Sequence, residues 1–174
     1  MLTLGSGTIQ IAAYVAGVNP ASIATSYPSP ITIGEVGGDI EFDISFQDKD
    51  FFGQSVFALA RGFYGGKVAI RAKKVELYPA NLAALTNIVQ SSGGGNDIWS
   101  VTNASKPVPV YVKFVHARSD ATGKVVNVHL FKAYSVQLAF PFSREDIGTQ
   151  DWEFTALADA SMAAKDVMRV EATQ

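Results

Sequence analysis

The chain has 174 residues, a net charge of −2, 48 % apolar residues and 17 % charged residues. That is the length of about one domain, long enough to bury a core without staples. The fourteen Lys and Arg are scattered and their longest cluster is Arg71-Ala72-Lys73-Lys74, which argues against a nucleic-acid gripper with a concentrated basic field. With no cysteine, disulfides and cysteine-based zinc sites are excluded. Met1 to Gly5 lack a basic region, so no signal peptide is expected. No apolar run approaches the roughly 20 residues of a membrane span. The charged share lies below the typical quarter, as extra surface buried between subunits would cause.

Thr8 to Ala16 reads as a strand. Gly17 to Pro30, with three prolines, reads as an extended loop or arm. Ile31 to Val36 is a short strand and Gly37-Gly38 a turn. From Asp39 to Phe46 alternation is strict: Ile40, Phe42, Ile44 and Phe46 take one face, and Asp39, Glu41, Asp43 and Ser45 the other. Period two is the mark of a half-buried strand. Gln47 to Gly66 is rich in large apolar residues yet shows neither period. It is expected as a long functional loop, with a short helix over Ser55–Arg61 as a possibility. Lys67 to Leu77 alternates again, and Pro79 to Gln90 reads as the one good helix, with Leu82, Leu85 and Val89 at helical spacing. Ser91 to Asn96 is expected as a flexible loop ending it. Val108–Arg118 and Lys124–Phe140 are two strands joined by a hairpin turn ending near Gly123. Pro141-Phe142-Ser143 breaks the second of them. Asp151 to Ala158 is a further strand, and the tail from Met162 either pairs as a last strand or lies over a neighbour. The expected fold is mainly β: one domain over residues 1–174, an antiparallel β-sandwich or barrel with one flanking α-helix.

The search for chemistry is largely negative. His116 and His129 fall on the two arms of the expected hairpin and could be cross-strand neighbours. No carboxylate follows at a useful spacing, so ordinary strand positions are the better reading of both. No G-x-S-x-G elbow is present. Gly65-Gly66-Lys67, Gly93-Gly94-Gly95 and Gly123-Lys124 lack the spacing of a phosphate loop and read as turns. Asp39 to Asp43 has large apolar residues between its carboxylates and no turn glycine, so it is a strand and not a calcium loop. No catalytic residue, metal or cofactor is expected. The acidic row has two readings: a functional face, or a solvated face paired with Lys67, Arg71 and Lys73 on an antiparallel neighbour.

Three segments carry a resemblance. They are the return into Ile33–Val36 with the alternating strand after it, Val68 to Ile88 as a strand feeding a short helix, and Val126 to Ser161 as a long strand, polar turn and closing strand. Together they resemble the tail tube (major tail) proteins of long-tailed bacteriophages. The resemblance implies a virion protein assembled in the host cytoplasm, forming hexameric rings that stack into the tail tube through which DNA leaves. It implies tape-measure, tail-terminator and baseplate proteins as partners, passage of DNA without specific binding, and no membrane. In such a tube a negative lining would keep the duplex centred, which makes Asp39, Glu41 and Asp43 the candidates for the lumen. Ring stacking is expected from Asp48, Lys49, Asp50, Phe51 and Phe52, an apolar anchor with a charged rim; the opposing reading folds these rings back over the core. Gly17–Pro30 and the tail are secondary interface candidates. Two alternatives stand beside this one. One is a related tube or tail-completion protein of a contractile tail or type VI-like injection system. The other is a non-catalytic β-sandwich binding module using loop aromatics such as Trp99 and Tyr111.

Overall fold

The computed structural model describes residues 2–4, 7–52, 58–76, 85, 89–103, 105–118, 122–135, 149–163 and 166–173. The chain is mainly β. Its strands are β1 (Leu2–Leu4), β2 (Gly7–Ala13), β3 (Ile31–Val36), β4 (Ile40–Phe52), β5 (Ala58–Glu76), β6 (Val89–Gly93), β7 (Asn96–Ser100), β8 (Val110–Ala117), β9 (Val125–Tyr134), β10 (Thr149–Ala156) and β11 (Met168–Ala172). Nine of them form one antiparallel sheet in the order β1-β4-β5-β10-β9-β8-β2-β3, with β11 added on β9; β6 and β7 pair separately. The sheet curls until β3 meets β5, but only Val36 and Val75 pair there. It is therefore not closed into a barrel, one of the two closures expected.

Alternation explains the core. Ile9 and Ile11, Ile40 and Phe42, Ile70 and Ala72, Val112 and Phe114, Val128 and Leu130, and Trp152 and Phe154 all point to the inner face and form one cluster. Burying each Ile, Val, Leu or Phe among them contributes about 1.5–3 kcal/mol. Two bulges repair the period where it would fail. β5 gains a residue between Ala72 and Val75 against β10, and β9 gains one between Leu130 and Ala133 against β8. An extra residue reverses the alternation, so both members of each pair, three positions apart, reach the core.

Several expectations are corrected. Gly17–Pro30 is no extended arm. Asn19 Oδ1 accepts from Ala21 N at 3.0 Å, opening a 3-10 turn at Pro20–Ser22 that runs into a one-turn helix, α1 (Ile23–Ser26). Val18, Pro20 and Tyr27 are buried, with the Tyr27 ring stacked on Tyr111 at 3.9 Å and 7°. The segment thus covers part of the sheet's outer face. Of the helix expected over Pro79–Gln90, Leu85 is helical and buried in the core. Val89 and Gln90 instead open β6, and the remaining positions lie outside the described residues. Ser91–Asn96 is a hairpin: Gly94 and Gly95, at φ 61° and 80°, supply the positive φ a two-residue turn between β6 and β7 requires. The break at Pro141–Ser143 and the end of the strand expected to reach Phe140 also lie outside the described residues. The tail pairs as a strand, β11 on β9.

Candidate assembly surface

The long segment expected as a loop, Gln47 to Gly66, is mostly the outer half of a hairpin. β4 continues without interruption from the alternating strand, pairing Gln47 with Tyr64, Asp48 with Phe63, Asp50 with Arg61 and Phe52 with Ala58. Ala58–Arg61, in the stretch considered for a helix, is strand; Ser55–Phe57 lie outside the described residues. The missing period has a physical cause. β5 carries an extra residue at Gly65–Gly66 and another between Ala58 and Ala60, where the register shifts against β4. Each one flips the pattern that would have betrayed a strand.

The inner half of this hairpin is held on both sides. β1 pairs with Ile40–Phe42 and β10 with Val68–Glu76. Beyond Ser45 and Lys67 the two strands pair only with each other among the described residues. Eight residues from Ser45 to Phe52 give an arm of about 25 Å. Its apolar side chains stay outside the core: Ile44 is 51 % exposed, Phe46 65 % and Phe51 53 %. The face expected to be buried from Ile40 to Phe46 is therefore buried only to Phe42, where the pairing with β1 ends.

Each exposed ring lies on a glycine of the opposite strand. A Cβ on Gly66 would stand 3.1 Å from the Phe46 ring, and one on Gly62 2.9 Å from the Phe51 ring. The glycines let the rings lie flat on the ribbon. Phe46, Asp48 and Asp50 share one face by strand alternation, and Phe51 takes the other. Arg61 closes on the acidic pair, its Nε 2.6 Å from Asp50 Oδ1 and 3.3 Å from Asp48 Oδ2. Its hydrogen bond holds the Asp50 carboxyl below the usual carboxylate range. Of the expected anchor and rim, Phe51 thus lies on the face opposite Asp48 and Asp50. Lys49 is exposed on the Phe51 side, and the Phe52 side chain lies outside the described residues. Neither Phe46 nor Phe51 folds back over the core.

The acidic row occupies the outer face of the same sheet, paired as the solvated reading expected. Glu41 Oε1 is 3.4 Å from Lys73 Nζ, and Asp43 Oδ2 is 3.5 Å from Arg71 Nη1. Asp39 is exposed, and its carbonyl accepts from Lys73 N at 3.2 Å. A residue the sequence did not single out, Glu153 of β10, completes the network: Lys67 Nζ and Arg71 Nε donate to it at 2.9 and 3.0 Å. With Asp39, four carboxylates and three cations share this face over β4, β5 and β10. It is a mixed face and not a purely acidic one.

The remaining expectations resolve simply. His116 pairs with Val126 and His129 with Lys113, which places the histidines on opposite faces of the sheet rather than side by side. Tyr111 is buried under Tyr27; the Trp99 side chain lies outside the described residues. No group of three or more His, Asp or Glu among the described residues is placed to hold a metal. No protein-family model matches the chain, and no curated protein matches its sequence.

Proposed function

We propose that this protein is a structural subunit that assembles with itself, as stacked hexameric rings, into the tail tube of a bacteriophage. The observation that carries the reading is the projecting half of the β4–β5 hairpin. A two-stranded ribbon alone in water is marginally stable, and this one presents Ile44, Phe46 and Phe51 to solvent. Apolar groups held outside the parent core fit a surface completed by another copy, and a heterologous contact repeated around a ring closes it. The resemblance of the sequence to tail tube proteins supplies the hexamer and the stacking. The role is architectural and not catalytic.

In this reading the mixed outer face of β4, β5 and β10 is the candidate wall of the bore, with Asp39, Glu41 and Asp43 among its groups. Lys67, Arg71 and Lys73 are engaged by carboxylates, so a passing duplex meets few cations free to grip its phosphates. DNA slides past without specific binding. The tape-measure, tail-terminator and baseplate proteins are the partners the role requires, and the virion tail is the place.

Negative-stain electron microscopy of the purified protein over a concentration series, with light scattering alongside, tests the proposal. Rings or hollow tubes with six subunits per turn are expected. A strictly monomeric protein at every concentration would count against it.

A further inference from the structure

Strand alternation puts Asn127 and His129 on the same side of β9. Lys113 of β8 lies beside His129 on one flank, and Arg169 of β11 lies beside it on the other, with Glu171 opposite Asn127. This is the outer side of the sheet, away from the main core. The segment 17–30 lies over it as a cover, with the Tyr27 ring stacked on Tyr111. Between cover and sheet is a cleft of about 270 Å³ that His129, Lys113 and Glu171 help to line.

His129 is only 3 % exposed. Its Nδ1 is 2.5 Å from the Tyr111 hydroxyl. Its Nε2 makes no hydrogen bond among the described residues, although Glu171 Oε2 stands 3.4 Å away. That carboxylate is shared, because Arg169 Nε holds Oε1 at 3.0 Å. Among the described residues, the titratable and charged groups facing the imidazole are Tyr111 and Lys113 from β8, Arg169 and Glu171 from β11, and Tyr27 from the cover. Its own strand offers the neutral Asn127. Two cations and one half-exposed carboxylate compensate an imidazolium poorly, and burial keeps water from it. Burial accordingly holds the His129 pKa below the ordinary imidazole value; Glu171 pulls it back up, and Lys113 and Arg169 push it further down.

The cover is the weakest-held wall of this cleft. Val18, Tyr27 and Tyr111 form a small cluster apart from the main core. Beyond it, the Tyr27 hydroxyl accepts from Val15 N at 3.4 Å and Asp159 Oδ2 accepts from Gly17 N at 3.2 Å. β11 is paired along its whole length with β9, and Val167 and Met168 pack on the main core. We propose that the segment 17–30 is an acid-opened cover: a proton taken up by His129 lifts it from β8 and β9 and bares the Tyr111 ring. The thermodynamic cycle fixes the sign. With the cover open, water reaches the imidazole and its pKa returns toward about 6.5; with the cover closed the value is lower. Opening therefore takes up a proton, and the open form gains population as pH falls from about 6.5 to the closed-state value. Above that window His129 is neutral in both forms and the cover stays down.

Hydrogen exchange of the full chain tests this, read by mass spectrometry at about pH 7.5 and about pH 5 and corrected for the intrinsic pH dependence of exchange. Protection of residues 17–30 is expected to fall several-fold at the lower pH, while that of β11 holds. His129→Gln, which does not titrate, should lose the difference, and His116→Gln should keep it. Lys113→Gln removes an opposing charge and should shrink the difference; Glu171→Gln removes the attracting one and should enlarge it. These two variants keep the test open if His129→Gln fails to fold. The proposal is overturned if protection of 17–30 is the same at both pH values, if His129→Gln keeps the wild-type difference, or if Lys113→Gln enlarges it.

Discussion

Two cations converge on the carboxylate of Glu153, from Lys67 and Arg71 on the neighbouring strand. Their hydrogen bonds hold its pKa below the ordinary value. A carboxyl depressed in the folded state adds stability above its unfolded pKa of about 4.3 and loses it as pH falls through the folded value. The group is more than a third exposed, so water screens the effect to about 0.5–1 kcal/mol. Glu153→Gln should therefore cost that much in urea unfolding at pH 7. The difference from wild type should shrink as pH falls below about 4.3 and vanish once pH has passed through the lowered folded-state pKa, where both side chains are neutral. The pairing of basic and acidic rows on β4 and β5 was legible from alternation alone. Glu153 was not, because it arrives from a strand 82 positions from Arg71. Asp159 was equally hidden. It accepts from Gly17 N at 3.2 Å and from Ser161 N at 3.0 Å, and the Ser161 hydroxyl holds its carboxyl well below the usual range.

The β4–β5 hairpin separates stability from assembly. Phe46 and Phe51 touch the ribbon and solvent, not the core. Replacing both with serine should leave the unfolding free energy within about 0.5 kcal/mol, as for other surface changes. The concentration needed to form rings or tubes should rise sharply or assembly should cease, as read by light scattering and microscopy. Unchanged assembly would remove the hairpin from the interface. The first half of β4 could be read from Ile40 and Phe42. The second half resisted, because an arm that packs on no core keeps no apolar period, bulges on β5 erased that of its partner, and no local signal marks where the flanking strands end. The Gly94–Gly95 hairpin failed for another reason: a glycine run after a helical pattern reads as the helix's end, and the pairing of β6 with β7 is decided by the turn.

Across the whole molecule, β9 is the hinge of the architecture. It pairs with β8 along one edge, while β10 and β11 share the other. Val167 and Met168 pack against the main core. Truncation after Asp166 should therefore lower stability by roughly 2 kcal/mol, the worth of one or two such side chains. It should also promote aggregation through the uncovered edge of β9. Denaturant unfolding and light scattering would measure both. A truncated chain as stable as the full one would show that β11 is an accessory.

Composition and alternation by themselves determined that this is a mainly β chain and which residues of β4 and of the second half of β5 share a face, and they offered the pairing of the acidic and basic rows as one of two readings. Those properties follow from the two-residue period of a strand, which is local. Only the tertiary structure decided where the sheet stops covering β4, which carboxylate completes the charged face, and that His129 meets Glu171 and not His116. Each of these depends on which distant strands become neighbours and on bulges that shift their register. Nothing within a few residues of the positions concerned encodes either.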